Sequence, residues 1–180
     1  MITCNQTLGG IPFECEPSIG GIKEVYIARY DDINGKPTVT ESGDTKGVIT
    51  EIPITGESKF EGYSFRKNTG SMTSTLTVDE TAGINYVSTE LSLVFTKMDT
   101  QKRIEMSALA LGRLAVIVKD SNGKYWYLGY DDYVSATAGG ANSGQNKGDQ
   151  NAYTLTLRDE SETFPYEISE QAITGVISKK

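Results

Sequence analysis

The stretch INYVSTELSLVFT, residues 84–96, decides the fold. Apolar and polar side chains alternate along it, so that each kind collects on its own side of an extended chain. The apolar face carries Val87, Leu91, Leu93 and Phe95, and the opposite face carries Tyr86, Ser88, Glu90, Ser92 and Thr96. Alternation over this length predicts a long strand of an antiparallel sheet with one buried side and one solvated side.

The segments before this strand carry the same signal more weakly. Residues 72–78 place Met72, Ser74, Leu76 and Val78 on one side and three threonines on the other, as expected of a wet sheet face. Further strands are predicted at 22–30, 37–41, 47–54 and 60–66, with a tight turn at Asn34-Gly35. Pro53 favours a sheet edge or a strand end because it lacks an amide hydrogen.

One helix is predicted, over residues 99–111. Asp99 or Thr100 is expected to cap its first turn, and Gly112 is expected to end it in a left-handed conformation. Its apolar residues occupy more than one face, namely Ile104, Met106, Ala108, Leu109, Ala110 and Leu111. This distribution favours a position between the sheet and a neighbouring subunit.

The remaining chain adds a hairpin and a further strand. Residues 114–118 and 125–128 are predicted to pair around the turn at 120–123, and 152–158 alternates like a strand. The glycine-rich residues 137–151 are expected to be structureless, and mobile in a free subunit. The tail at 168–177 fits a helix or a strand equally well. We therefore predict a mainly β fold with a minor α component.

In architectural terms the prediction is an antiparallel β-sandwich or barrel with one short flanking helix. An N-terminal arm, residues 1–20, is rich in glycine and proline, with one possible short strand at 2–8, and a single domain follows at 21–180.

Composition excludes several function classes. The net charge is −7 over 180 residues, which argues against a nucleic-acid-binding face. With no histidine, the chain lacks imidazole catalysis and ligation. The two cysteines, Cys4 and Cys15, favour reduced thiols over a disulfide because they are so few. No secretory signal and no apolar membrane segment is visible, so we expect a soluble protein made in the cytoplasm.

Reactive sites are not expected. Asp120 and Asn122 resemble the start of a calcium loop, but Lys124 and Tyr125 occupy positions that need an oxygen ligand and a glycine, so a hairpin turn is favoured. The acidic groups Asp131-Asp132 and Asp159, Glu160 and Glu162 are interpreted as solvated strand-end residues rather than a catalytic carboxylate pair. The pattern predicts neither an enzyme nor a cofactor or metal.

An aromatic group at 125–133 leaves two alternatives. Tyr125 and Tyr127 are predicted to be exposed and Trp126 buried, because neighbouring strand positions face opposite sides. Exposed tyrosines suit a sugar-binding surface or a protein interface, and the interface is the preferred interpretation.

The order of these elements resembles the tail-tube-like virion proteins of tailed bacteriophages and prophages. The resemblance extends over roughly residues 20–168. It rests on Gly-Gly-Ile-Lys at 20–23, Met-Thr-Ser-Thr-Leu-Thr-Val at 72–78, the strand at 84–97, the helix, the turn Asn122-Gly123, Tyr-Leu-Gly at 127–129 and Tyr-Thr-Leu-Thr-Leu at 153–157.

This resemblance implies a self-assembling structural protein of the virion tail, made in the bacterial host cytoplasm. Its subunits would close into rings, commonly hexameric, whose inner hairpins join into one barrel, and stacked rings would let DNA pass without specific binding. Partners would be further copies and other tail proteins, with no membrane. The expected interface residues are Met72, Leu76, Tyr86, Ser88, Leu109, Tyr125 and Tyr127.

Three alternatives stay open. One is a head–tail connector or baseplate component with the same fold, another is a monomeric carbohydrate-binding β-sandwich, and the third is a hydrolase using the acidic groups.

Overall fold

The protein is mainly β in the computed structural model, which describes residues 8–13, 15–43 and 46–178. The strands are β1 (Ile22–Arg29), β2 (Thr38–Val39), β3 (Val48–Glu51), β4 (Glu61–Tyr63), β5 (Ser71–Asp79), β6 (Ile84–Thr96), β7 (Leu114–Asp120), β8 (Tyr125–Leu128), β9 (Ser135–Asn142), β10 (Ala152–Ser161) and β11 (Tyr166–Ile168). The helices are α1 (Thr100–Leu111) and the short α2 (Glu170–Ile173). The predicted β-sandwich with a short flanking helix is confirmed.

Two sheets form the sandwich. The larger has seven strands in the order β2-β3-β11-β8-β7-β1-β4, and the smaller has four in the order β5-β6-β10-β9. The long strand read from the alternation at 84–96 is β6, and it pairs with β5 on one side and β10 on the other. All strand pairs are antiparallel except β3 with β11.

The main core lies between the two sheets. The apolar face of β6, including Leu91 and Leu93, meets Val25 of β1 and Val116 and Val118 of β7 there. A second cluster covers the other face of the larger sheet, where α2 contributes Ile173. Strand β7 is therefore buried on both faces, whereas the smaller sheet is buried on one face only.

Helix α1 begins as predicted and ends differently. The Asp99 side chain accepts a hydrogen bond from the Lys102 backbone N–H at 2.8 Å, so Asp99 is the N-cap. Gly112 has φ −80° and ψ 153°, an extended conformation, and the predicted left-handed ending is wrong. Glycine is needed there for space, because a Cβ would lie 2.9 Å from the Ala108 carbonyl oxygen.

The prediction that residues 137–151 are structureless is also wrong. The first part of this segment belongs to strand β9, which pairs with β10 from Ala152 to Arg158. The small residues of β9 carry no pattern of their own, and the backbone of β10 supplies the pairing that orders them. The following turn is closed by Asp149, whose Oδ2 accepts the backbone N–H of Gln145 at 2.8 Å.

The two ends of the chain differ in regular structure. The tail forms β11 and then α2, so it contains both a strand and a helix. Residues 8–13 and 15–20 form neither helix nor strand and are exposed. The strand considered at 2–8 and the thiol of Cys4 lie outside the described residues, apart from Leu8, while Cys15 is an exposed free thiol.

Candidate assembly surface

The β5–β6 hairpin extends beyond the larger sheet. The two strands stay paired from Ser71 with Ser92 to Asp79 with Ile84. Val87 is 1% exposed, but Leu76, its partner across the hairpin, is 49% exposed. The covering sheet therefore stops at about this level, and residues 76–86, the hairpin tip, project into solvent.

The hairpin tip is apolar on both faces. Leu76 and Val78 point to the side that faces the core further along the strand, and Ile84 and Tyr86 point to the opposite side. All four side chains are exposed. Contiguous exposed apolar surface of this kind commonly marks an interaction site on a soluble protein.

The smaller sheet has two open edges. Strands β5 and β9 lie at its ends, each with one pairing side unused by another strand of the described chain. Because every neighbouring pair in this sheet is antiparallel and there are four strands, β5 and β9 run in opposite directions. Open edges of this length, nine and eight residues, readily accept another strand.

The two edges are staggered along the strand direction. Thr75, in the middle of β5, lies opposite Ser88 of β6. Ala138, in the middle of β9 and on the same face as Thr75, lies opposite Thr156 of β10, which in turn lies opposite Ser92 of β6. The midpoints are thus offset by four positions of β6, from Ser88 to Ser92.

The solvated face of the smaller sheet is rich in hydroxyl groups. It carries Thr73, Thr75, Thr77, Ser88, Ser92, Thr154 and Thr156. The charged side chains of β6 and β10 on this face are Glu90, Arg158 and Glu160, and Arg158 pairs with Glu90. The face is therefore polar and weakly acidic rather than basic.

Six of the seven expected interface residues separate into two sets, and the seventh, Tyr125, belongs to the aromatic group described next. Leu76, Tyr86 and Ser88 share the hairpin, and Met72 lies at its base, where it packs against the core. Leu109 is buried against that same core and Tyr127 against the second cluster, so these two side chains have almost no surface to offer a partner. The prediction that Leu109 and Tyr127 offer interface surface is therefore corrected, because both side chains lie in the core.

The aromatic group is largely engaged within the chain. Tyr127 is buried with its ring edge-on to Phe60, because α2 and its neighbours cover that face of β8. Trp126 is only half-buried, and its Nε1–H donates to Asp120 Oδ2 at 3.0 Å. The predicted burial of Trp126 and exposure of Tyr127 are wrong. Tyr125 is half-buried beneath the Lys119 ammonium, 5.1 Å from the ring centre.

The acidic groups behave differently from one another. Asp120 Oδ1 accepts the backbone N–H groups of Asn122 and Lys124, which confirms the hairpin turn. Asp131 pairs with Lys36 at 2.8 Å. The prediction that Asp159 is solvated is wrong, because this residue is 2% exposed and accepts one hydrogen bond, from the Gly129 N–H at 3.2 Å. Burial raises the pKa of Asp159 to about 6.

A signal for the burial of Asp159 was present in the sequence. Tyr153, Leu155 and Leu157 occupy alternate positions, and Asp159 continues that same face of β10. Its depth also removes it from any surface catalytic pair.

The described residues hold neither a metal-binding cluster nor a membrane-spanning helix. Within 8–13, 15–43 and 46–178, no group of three or more Asp, Glu, Cys or His side chains is placed to hold a metal ion. Across that same part of the chain, no helix combines the length and apolar character needed to cross a membrane. No known protein family, curated protein or solved structure matches the chain.

Proposed function

We propose that the protein is a structural subunit of a phage tail tube, which closes into rings that stack around a DNA-conducting channel. The observation that carries this proposal is the pair of open, oppositely directed edges on the four-stranded sheet. When copies are related by rotation about one axis, β9 of each copy meets β5 of the next in the antiparallel sense. Such a head-to-tail contact closes into a ring and leaves no free edge.

The stagger of the edges supports closure into a barrel. Paired residues share a face of the sheet, so Thr75 can pair with Ala138, at an offset of four residues. Four residues correspond to about 13 Å along the strands, and four strands span about 19 Å across them. With this pairing the strands of the ring tilt by about 35° from its axis, at the lower end of the 35–45° usual for barrels. A sheet without stagger would instead give strands parallel to the axis.

In the proposed ring the hydroxyl-rich face of the four-stranded sheet lines the channel. This orientation is supported by the larger sheet, which already covers the apolar face and so forms the outer layer. A neutral to acidic lining offers few cations to phosphate groups, which lets DNA move through without being held.

Cysteine cross-linking tests ring closure directly. In a background with Cys4→Ser and Cys15→Ser, Thr75→Cys and Ala138→Cys are combined on one chain; both positions lie near an edge midpoint on the solvated face. Each chain can then link to two neighbours. Oxidation is expected to give a ladder of covalent oligomers that stops at the ring size.

The control replaces Ala138→Cys with Thr156→Cys, on the inner strand β10 and the same face. It should give no ladder. Negative-stain electron microscopy of the concentrated protein gives the independent readout of rings and tubes. A chain that remains a monomer in both assays, or a ladder that ends at two copies, would overturn the proposal, and single rings that never stack would favour a connector or baseplate role.

A further inference from the structure

A groove lies between β4, the end strand of the larger sheet, and helix α1. It contains a cavity of about 350 Å³, within the size range of ligand sites in proteins. Its floor is apolar, because Phe95 and Leu109 are buried there and the Tyr63 ring packs edge-on against Phe95 at 6.2 Å. The groove therefore offers apolar contact to a bound group.

The groove continues along the helix. A second cavity of about 550 Å³ shares Glu61, Tyr63 and Leu109 with the first and reaches Leu111 at the end of α1. The 12 residues of α1 are about 18 Å long, a length that about five residues of extended chain can span. The shape of the groove therefore suits an extended peptide better than a compact ligand.

The backbone of β4 faces the groove at Gly62. Phe60, two residues earlier, donates its N–H to the Val176 carbonyl oxygen and accepts the Ser178 N–H, both at 2.8 Å. Its backbone groups therefore point away from β1, and those of Gly62 do the same, because the direction repeats at every second residue of a strand. Beyond the pairing of β4 with β1, no described residue hydrogen-bonds the Gly62 backbone. This edge position can therefore pair with a further strand.

Two carboxylates lie on the two walls of the groove, Glu61 on β4 and Glu105 on α1. Neither forms a salt bridge within the described residues. Burial, and then the charges of Glu105 and Glu61, raise the pKa of Tyr63 to about 12, which places both carboxylates near its hydroxyl. Among the described residues that line the first cavity, the one cation is Lys102, and it is paired with Asp99 at 2.6 Å. The walls of the groove are therefore negative.

We propose that this groove binds an extended, basic segment of a partner protein, which adds to the edge of β4 as a further strand. The segment hydrogen-bonds the Gly62 backbone, places a lysine or arginine between Glu61 and Glu105, and covers the apolar floor with its other side chains. Backbone pairing supplies affinity in this mode of recognition, and the charge supplies selection. The inference does not depend on ring closure, since neither β5 nor β9 lines the first cavity.

Fluorescence anisotropy of a labelled peptide tests the binding. The probe is the end-capped peptide Thr-Leu-Val-Lys-Val-Leu-Thr, in which residues that favour strands flank a central lysine. Saturable binding to the dilute full-length chain is expected, and it should weaken as the salt concentration rises, because salt screens exposed charges. The same peptide with a central glutamate is the ligand control and should bind more weakly. Equal binding of the two peptides would overturn the proposal.

Glu61→Gln combined with Glu105→Gln removes the two charges on the walls of the groove. The affinity for the lysine peptide is expected to fall by about fivefold, as the loss of two exposed ion pairs allows. The matched control combines Glu51→Gln with Glu57→Gln, which changes the net charge equally at exposed positions outside the groove. An equal loss of affinity in both double variants would assign the effect to net charge and contradict the proposed site.

N-methylated peptides test strand addition separately from charge. Successive amides of an extended peptide point to opposite sides, so one alternate set faces β4 and the other faces away. Methylation of the first set should abolish binding, and methylation of the second set should preserve it. Equal affinities of the two methylated peptides would show that the segment does not pair with β4.

Two further outcomes would assign the groove to a different occupant. Binding that appears only after Lys179 and Lys180 are deleted would identify the chain's own end as the occupant. Exclusion of the peptide from covalent rings of the Thr75→Cys and Ala138→Cys chain would identify a second copy. Either result overturns the partner segment and leaves the proposed function standing, whereas peptide binding by a chain that forms no rings leaves only the groove.

Discussion

Asp159 of β10 and Gly129, the residue after β8, are linked by a buried hydrogen bond, from the Gly129 backbone N–H to Asp159 Oδ1 at 3.2 Å. A single donor does not replace the water that a carboxylate loses on burial. Burial therefore raises the pKa of Asp159 to about 6, and the nearby carboxyl groups of Asp131, Asp132 and Glu160 act in the same direction.

The contribution of Asp159 to stability is expected to increase as the pH falls from about 7 to 4. The pKa of Asp159 is higher in the folded state than its ordinary value of 3.8, so the folded state binds the proton more tightly. The stabilisation begins as the pH falls through about 6 and is complete below the unfolded pKa. The rise of this pKa from 3.8 to about 6 corresponds to about 3 kcal/mol in the free energy of unfolding.

Urea denaturation of the wild type and Asp159→Asn across this pH range measures the effect. The variant keeps an acceptor for the Gly129 N–H and carries no charge, so it is expected to be more stable at pH 7, with the difference fading near pH 4. Stability curves of the two proteins that run parallel in pH would contradict this assignment.

Tyr127→Phe is expected to leave the fold intact and to stabilise it or leave it unchanged. The Tyr127 hydroxyl is buried and has no hydrogen-bond partner among the described residues. Removing it therefore removes a desolvation cost of about 1 kcal/mol that no hydrogen bond offsets. Burial also raises the pKa of this phenol well above its usual value. Tyr125→Phe, at a half-exposed position of the same strand, is the control for thermal unfolding. A loss of 2 kcal/mol or more in Tyr127→Phe would reveal a partner for the hydroxyl.

Gly112→Ala is expected to destabilise the free subunit although its φ is accessible to alanine. The added Cβ would lie 2.9 Å from a backbone carbonyl oxygen, which cannot move without distorting the end of α1. We expect a loss of about 1–3 kcal/mol. Gly148→Ala, where nothing lies within 4 Å, should change the free energy of unfolding by less than about 0.5 kcal/mol. Equal effects at both positions would show that the contact at Gly112 is relieved cheaply.

Features that depend on a single strand, such as its length and its buried face, could be predicted from the sequence. Features that depend on neighbouring strands could not. Alternation in β6 gave both its length and its buried face correctly, because one face of the smaller sheet is covered and the other is not. The same rule failed for Tyr127, because both faces of β8 are covered and alternation alone does not tell which face is more deeply buried. Strand β9 has no side-chain pattern, and only its pairing with β10 orders it.

The candidate surface was predicted in part for the same reason. Leu76, Tyr86 and Ser88 share a hairpin that local sequence defines. The protrusion of that hairpin depends on where the opposite sheet ends, which no local pattern encodes. The offset of β5 and β9 likewise emerges only when all four strands are registered.

Substitutions in the core and in the hairpin tip are expected to affect different properties, namely the stability of the subunit and its association with other copies. Leu93→Ala removes a fully buried side chain from the core between the sheets and should cost about 2–5 kcal/mol in the free subunit. Leu76→Ser acts on a half-exposed side chain of the hairpin tip, so unfolding of the free subunit should shift by less than about 1 kcal/mol. Only the second change should reduce association at unchanged stability, as measured by sedimentation velocity beside urea denaturation. If Leu76→Ser lowered stability as much as Leu93→Ala, the tip would belong to the core of a single subunit and would not be a surface kept for another copy.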